Sequence, residues 1–182
     1  MAPRPMRRWL RSKRRWQARD SVVLTIRRAK PEDAQAIGAV FDAAVREGWK
    51  YLGELAAQPM FPPEEWDDEV AKHAPPNALL VAIGEADRLI GFVAVHPAEG
   101  EMYLLFVHPD HAGSGVGRAL LEAAHEVLRS AGCREAFLYT HEQNQRAIAV
   151  YEAAGYRRDG TVRESDFRGV HLREPRLVKL LA

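Results

Sequence analysis

The stretch from His108 to Arg118 contains the residues whose spacing points most directly to ligand chemistry. It follows an apolar strand pattern, precedes an amphipathic helix pattern, and has glycine at three alternate positions, Gly113, Gly115 and Gly117. Alternate glycines allow the main chain to turn sharply and approach a ligand, and the first amides of the helix have no partner within it. Such a turn binds anions, most often phosphate.

Two common phosphate-binding motifs do not fit this stretch. A Walker loop requires Lys followed by Ser or Thr after its last glycine, whereas Gly117 is followed by Arg118 and Ala119. A dinucleotide fingerprint requires G-x-G-x-x-G at the start of a parallel βαβ unit, whereas this G-x-G-x-G follows strands predicted to be antiparallel. The remaining alternative is a glycine-rich turn without a ligand.

A second group of residues lies on one face of a later predicted helix. Asn144, Ala147, Ile148 and Tyr151 have the spacing i, i+3, i+4, i+7, so the face carries a polar residue, two apolar contacts and a phenol. From the residues alone, Asn144 is a good helix N-cap and Tyr151 a core aromatic with a solvated edge.

Together the two motifs resemble the GCN5-related N-acetyltransferase (GNAT) family. The matching segments are 105–109, 113–121 and 144–156, in the family's order, with Ala112 where the family usually has Gln or Arg. The resemblance implies the acyl-CoA N-acyltransferase fold. This is a layered α/β fold with a mixed, mostly antiparallel central sheet of six or seven strands and about four flanking helices.

The resemblance also implies an activity, which is acetyl transfer from acetyl-CoA, as co-substrate, to a primary amine that attacks the thioester directly. Tyr151 is then the general acid that protonates the departing thiolate, and the backbone amide of Leu105 polarises the thioester carbonyl. The residues expected to bind acetyl-CoA are Leu105, Phe106, Val107, Gly113, Ser114, Gly115, Val116, Gly117, Arg118 and Asn144. For Arg118 a solvated position in the first helical turn is an equal alternative.

The reaction needs a proton acceptor, because keeping an amine with a pKa of ~10.4 neutral at pH 7 costs about 4 to 5 kcal/mol. Glu101 is the candidate base, since it occupies the strand position where histone-modifying members of the family carry a catalytic glutamate. On strict alternation it shares a face with Tyr103, Leu105 and Val107, although a bulge would change this. The alternative is a solvated carboxylate at a strand start. Family members that acetylate ribosomal proteins or protein N-termini often have a glutamate at the position of Tyr139. Because this chain has tyrosine there, the resemblance does not imply that it shares their catalytic base or their substrate.

The resemblance also implies that the first two helices and their loop form one wall of the acceptor site, as they usually do in this fold. That wall would suit a cationic amine with an apolar body, either a small molecule or a protein amine. His141, near Asn144, is either a substrate contact or a surface histidine. The alternative for the wall is that its aromatic residues pack the domain and its acids are solvated. The wall residues are Trp49, Tyr51, Met60, Phe61 and Trp66, with Glu47, Glu54, Glu64, Glu65, Asp67 and Asp68 nearby.

The elements that position these residues follow from periodicity and from Gly and Pro. Strands are predicted at 22–27, 78–84, 89–96, 101–107, 136–140, 156–167 and 172–180. Helices are predicted at 31–47, 64–73, 114–131 and 144–154. The three strands from Ala78 to Val107 form an antiparallel meander.

The charge of this 182-residue chain is unevenly distributed although its net charge is +1. Residues 1–19 hold seven Arg and one Lys and no acid, which leaves 18 basic and 25 acidic residues in the rest. We therefore expect a disordered basic arm at 1–20 and one GNAT domain at 21–182. Nucleic acid is expected as a partner only through the arm, and a nucleic-acid-associated protein is one rival function.

The cysteine count and the hydropathy of the chain exclude several other classes of protein. Cys133 is the only cysteine, which excludes an internal disulfide framework and a cysteine-rich zinc site and favours the reducing cytoplasm. No apolar run approaches the ~20 residues of a spanning helix, so no integral membrane association is expected. No metal is expected, since His108 and His111 alone do not make a site. A catalytically silent acyl-CoA-binding or regulatory module is the other rival function, and both a monomer and a homodimer remain open.

Overall fold

The computed structural model describes residues 14–17, 23–59, 61–62 and 64–181. Its strands form one sheet, which in this part of the chain has eight strands in the order β1-β2-β3-β4-β5-β6-β8-β7. The strands are β1 Arg14–Gln17, β2 Val23–Arg28, β3 Ala78–Ile83, β4 Leu89–His96, β5 Glu101–Val107, β6 Glu135–Tyr139, β7 Arg157–Phe167 and β8 Val170–Leu180. The predicted mixed, mostly antiparallel sheet is confirmed, with β5 and β6 as its parallel pair.

One strand lies in the predicted basic arm. β1 pairs antiparallel with β2, which adds one strand to the six or seven expected. The rest of the arm and Met60 lie outside the described residues.

Helices cover both faces of the sheet. They are α1 Ala34–Gly48, α2 Glu65–Lys72, α3 Val116–Ser130 and α4 Gln145–Ala153, with a kinked 3₁₀ segment, Lys50–Ala57, after α1. α3 packs on one face through Leu120 and Leu128. α1 and α2 pack on the other through Phe41 and Trp66. Because both faces are covered, β3 is apolar along its whole length and fully buried.

A gap between two neighbouring strands creates the space for a site. β5 and β6 are paired at one register position, Glu101 with Phe137, and the amide of Phe137 donates to the carbonyl of Gly100 at 3.0 Å. Beyond this point the ladder between β5 and β6 ends, while β5 stays paired with β4 up to Val107. The C-terminal half of β5 therefore has backbone groups that no neighbouring strand on the β6 side satisfies.

None of the helices in the described residues is long and apolar enough to span a membrane.

Candidate active site

The glycine-rich turn before α3 forms a cradle of backbone amides. Gly113 and Gly115 have φ of 80° and 89°, a left-handed conformation that favours glycine. The hydroxyl of Ser114 donates to the carbonyl of His111 at 2.6 Å, and the amide of Ala119 donates to the carbonyl of Gly115 at 3.0 Å. These two bonds fix the turn and the first turn of the helix.

The amides inside this turn are available to a ligand. Within the described residues, no hydrogen bond engages the backbone amides of Gly113, Gly115, Val116, Gly117 or Arg118. A cluster of unpaired amides at the N-terminus of a 15-residue helix is a favourable site for a diphosphate. The residues present therefore fit the pyrophosphate of a CoA ester.

The side chains of the loop contribute less to the binding of an anion than its main-chain amides do. Val116 is buried in the core and Arg118 is exposed. Gly113 and Gly117 line a cavity of about 220 Å³, which also reaches Asn144.

Strand β5 directs two further amides toward this cavity. The amide of His108 donates to the carbonyl of Ile90 at 2.8 Å, which makes these two residues a hydrogen-bonded pair of the β4–β5 ladder. Because such pairs alternate along an antiparallel ladder, the amides of Leu105 and Val107 point away from β4 and into the gap beside β6. Leu105, Phe106 and Val107 all line the cavity, as the sequence predicts for the residues beside the CoA arm.

Helix α4 brings Asn144 and Tyr151 to the same cavity. The side-chain Oδ1 of Asn144 accepts from the amide of Ala147 at 3.2 Å, so Asn144 is a helix N-cap, and its Nδ2 group can still donate. Tyr151 is only 8% exposed, and burial raises the pKa of its phenol. Its hydroxyl makes no hydrogen bond to another of the described residues. The phenol therefore stays protonated at neutral pH and can donate.

A second cavity, of about 670 Å³, adjoins the first and shares with it a set of lining residues, which we call the shared wall. A molecule bound in one cavity can therefore meet a molecule bound in the other. The residues that line both cavities are Trp49, Leu105, Phe106, Asn144, Ala147 and Tyr151.

The second cavity combines aromatic rings with carboxylates. Trp49, Phe61 and Trp66, predicted for the acceptor wall, line it, whereas Tyr51 does not. The predicted acids do not line it either, and Glu47 borders the first cavity instead. The other aromatic residues that line the second cavity are Phe41, Phe106, Tyr103, Tyr139 and Phe167, and its charged residues are Glu69, Asp166, Glu174, Lys72 and Arg163.

Glu101 does not occupy the face that strict alternation predicts. The β4–β5 register shifts between Leu104 and Met102, which leaves Tyr103 as a bulge. Met102 consequently packs in the same core cluster as Leu105 and Val107. Glu101 therefore lies off the face of Leu105 and Val107, which is the outcome expected for a bulge and not for strict alternation.

Glu101 is instead the first member of a chain of titratable side chains. Its Oε2 lies 3.8 Å from Nδ1 of His96, and Nε2 of His96 lies 3.2 Å from Nδ1 of His73. Nε2 of His73 lies 3.3 Å from Oε1 of Glu69, which lines the second cavity. Burial raises the pKa of Glu101, while the contact with His73 holds the pKa of Glu69 down to about 2. Glu101 thus reaches the cavity through two imidazoles rather than directly.

His141 lies at the end of β6 and lines the second cavity. Its Nδ1 is 2.6 Å from the hydroxyl of Tyr51, and its Nε2 is 3.5 Å from Oε1 of Glu174. The other oxygen of Glu174 accepts from Nε of Arg163 at 2.8 Å. The ring of Trp49 packs on the imidazole with centroids 4.4 Å apart. Burial lowers the pKa of His141, which keeps the imidazole neutral at neutral pH.

Sequence reasoning named His141 but missed the carboxylate beside it. Glu174 lies beside His141 because β6 pairs with β8, with Tyr139 opposite Arg176, and the amide of Glu142 donates to the carbonyl of Arg173. This pairing joins segments that are distant in the sequence, so no local pattern reveals it. No group of three or more His, Cys, Asp or Glu that could hold a metal ion occurs among the described residues.

Comparison with known proteins gives a consistent result. The family model of the acetyltransferase (GNAT) family matches residues 41–156. The chain is similar to mycothiol acetyltransferase of Saccharopolyspora erythraea, with 37% identity over 98 residues that make up 52% of this chain and 30% of that protein. The chain thus spans less than a third of the length of this relative.

Solved structures share the fold. One is yncA of Salmonella typhimurium with its cofactor acetyl-CoA, with a TM-score of 0.68, 20% identity, and coverage of 87% of this chain and 94% of that one. Another is the ribosomal-protein-S18-alanine N-acetyltransferase of Escherichia coli, with a TM-score of 0.68, 19% identity, and coverage of 88% and 95%.

Proposed function

Because the chain belongs to the acetyltransferase (GNAT) family, we propose that it transfers an acetyl group from acetyl-CoA to a primary amine. The observation that carries the proposal is the row of unpaired backbone amides. It runs from the loop at Gly113–Arg118 to Leu105 and ends at the wall that the two cavities share.

Acetyl-CoA would bind mainly through the main chain. The amides of Gly113, Gly115 and Gly117 would bind the pyrophosphate, and Nδ2 of Asn144 would donate to the pantetheine arm, while Arg118 would add positive charge from the rim. The amides of Leu105 and Val107 point into the gap where the arm would run. The thioester would then lie at the wall shared by the cavities.

The chemistry would be a direct transfer. The amine nitrogen bonds to the thioester carbon and the carbon–sulfur bond breaks. The amide of Leu105 donates to the carbonyl oxygen as it becomes negative, and one well-placed donor of this kind is worth ~3 kcal/mol. Tyr151 donates its phenolic proton to the departing thiolate, and its raised pKa keeps that proton on the phenol until then.

The amine must lose a proton before it attacks. Glu101 is a candidate proton acceptor in this scheme, but it would have to act through His96, His73 and Glu69. Glu69 at the cavity end would then be the group that meets the substrate.

The acceptor would be a cationic amine with an aromatic or apolar body. Aromatic rings provide much of the wall of the second cavity, and Asp166, Glu69 and Glu174 supply negative charge. The faces of aromatic rings and carboxylates both attract ammonium groups. Cys133 lines neither cavity, and its thiol donates to the carbonyl of Pro97 at 3.2 Å.

The test combines binding and turnover on the full chain. Calorimetry with acetyl-CoA is expected to show one site per chain, and release of free thiol is expected with 2-phenylethylamine and less with acetate as an anionic control. Binding without thiol release from a panel of amines and a lysine peptide would favour the silent acyl-CoA-binding module. Salt-dependent DNA binding that disappears on deletion of residues 1–20 would favour the nucleic-acid function.

A further inference from the structure

The imidazole of His141 and the carboxylate of Glu174 form a pair in the wall of the second cavity. Both side chains are about nine-tenths buried, and both line the cavity. The pair lies next to the shared wall, because the backbone amide of Asn144 donates to the carbonyl of His141 at 2.9 Å. Trp49, which lines both cavities, packs on the imidazole.

The groups around the imidazole come from several elements. Tyr51 after α1 contacts Nδ1, Glu174 of β8 lies beside Nε2, and Arg163 of β7 is bonded to Glu174. The Glu69–Lys72 ion pair and Asp166 also line the cavity. Glu174 is the charge that favours the protonated imidazole, whereas burial and Arg163 oppose protonation.

We propose that His141 is the proton acceptor for the acceptor amine and that Glu174 binds its ammonium group, an inference that rests on the proposed acetyl transfer. The 3.5 Å between Nε2 of His141 and Oε1 of Glu174 allows one ammonium nitrogen to donate to both atoms. The imidazole tautomer with its proton on Nδ1 donates to the oxygen of Tyr51 and leaves the Nε2 lone pair for this bond.

The protons balance in this scheme. The ammonium gives one proton to Nε2 of His141, which becomes an imidazolium that donates to Tyr51 and Glu174. The neutral nitrogen attacks the thioester carbon and loses its second proton as the intermediate collapses, while the leaving thiolate gains one from Tyr151. Tyr151 is reprotonated by the nitrogen proton through solvent, and His141 releases its proton to solvent. One proton is therefore released for each acetyl group transferred.

The positions of the two candidate bases favour His141 over Glu101. His141 lines the cavity itself, whereas a proton would cross three contacts of 3.3, 3.2 and 3.8 Å to reach Glu101. A neutral imidazole with one free nitrogen is also a suitable base at neutral pH.

The first test needs no turnover. In ¹⁵N NMR spectra of the full-length protein, addition of 2-phenylethylammonium is expected to shift the Nε2 resonance of His141 and to lower its titration midpoint, because a nearby cation disfavours the imidazolium. In Glu174→Gln, the same shift of the His141 resonance should require at least tenfold more ligand. A His141 signal that stays unchanged up to saturating ligand would overturn the proposal.

The second test follows kcat/KM for 2-phenylethylamine between pH 6 and 9.5. In His141→Gln, kcat/KM is expected to fall about 100-fold at pH 7. The loss should shrink about tenfold per pH unit, because the variant depends on amine that is already neutral in solution. The control His171→Gln, an exposed histidine of β8, should keep the wild-type profile.

The outcomes separate this proposal from the proposed function. A loss in His141→Gln that is constant across pH, or no loss, would overturn the role in proton acceptance, as would the pH-dependent loss appearing in Glu101→Gln instead. Acetyl-CoA affinity should be unchanged in all these variants. A wild-type protein that binds no acetyl-CoA would contradict the proposed function, whereas the NMR titration would still decide whether His141 and Glu174 bind an ammonium.

Discussion

The backbone amide of Asn144 donates a hydrogen bond of 2.9 Å to the carbonyl oxygen of His141. This bond closes the turn between β6 and α4. It places a residue expected to hold acetyl-CoA directly beside a residue of the second cavity. The side chain of Asn144 also caps α4, so one short turn fixes the start of the helix that carries Tyr151. The two halves of the site are therefore coupled through the backbone.

Removal of the phenolic hydroxyl of Tyr151 should affect turnover and not binding. Tyr151→Phe keeps the buried ring and its edge contact with Tyr156, with ring centroids 6.0 Å apart. We expect kcat to fall about 10- to 100-fold, since general acid catalysis commonly contributes at least that much. The dissociation constant of acetyl-CoA should stay within twofold. Thiol-release kinetics and calorimetry check this, and wild-type turnover would remove Tyr151 from the role of acid.

A side chain at Gly115 should close the amide cradle. Gly115 has φ of 89°, where a β-branched residue is strained by ~1–3 kcal/mol. We expect Gly115→Val to abolish acetyl-CoA binding in calorimetry. Gly132→Val is the matched control, because Gly132 has φ of 90° beyond the opposite end of α3. The control should lose similar stability and still bind, and retained binding by Gly115→Val would contradict the loop assignment.

The sequence predicts the elements well because their signals are local. β3 is an unbroken apolar run and α3 has a regular apolar face, so each is recognisable without knowledge of its neighbours. β1 has no such local signal, since Arg14–Gln17 has neither an apolar run nor clear alternation. Its strand conformation depends on pairing with β2, which is a non-local contact.

The same distinction applies to the candidate site. The amide cradle depends on glycine spacing, so the sequence contains its signal. The pair His141–Glu174 depends on the pairing between β6 and β8, and the orientation of Glu101 depends on the bulge at Tyr103. Both depend on how separate strands pair, which the local pattern of a single strand does not specify.

The close contact between α1 and α2 makes Gly38 sensitive to substitution. A Cβ built on Gly38 would lie 2.6 Å from Cδ1 of the buried Trp66, so Gly38→Ala must displace the indole. We expect a loss of ~1–3 kcal/mol in the free energy of unfolding. Gly48→Ala, in the same helix with open space around its Cβ, should be neutral or stabilising. Urea unfolding measures both, and equal stability of the two variants would contradict the packing argument.

The stability of the protein should fall as the pH drops from 6.5 toward 5, because buried imidazoles resist protonation. His125 is buried, its Nε2 lies 2.8 Å from the hydroxyl of Tyr156, and burial lowers its pKa below the ordinary value of 6.5. The unfolded chain therefore binds the proton first as the pH falls. The stabilisation is complete above about pH 6.5 and is lost as the pH falls toward the lowered pKa, by at most ~1.4 kcal/mol per pH unit for one group.

His141 has a lowered pKa as well, so two imidazoles should contribute to this slope. His125→Gln keeps a hydrogen-bonding partner for Tyr156 and removes one titrating group, and we expect it to reduce the slope of unfolding free energy against pH between 5 and 6.5 by about half. Carboxylates with a lowered pKa, such as Glu69, lose their stabilisation mainly below about pH 5, where the unfolded carboxyl becomes protonated, so most of the slope between pH 5.5 and 6.5 comes from the imidazoles. Urea unfolding at half-unit pH intervals measures the slope. A variant with the wild-type slope would mean that His125 is protonated as readily in the folded protein as in the unfolded chain, against the effect expected from its burial beside Tyr156.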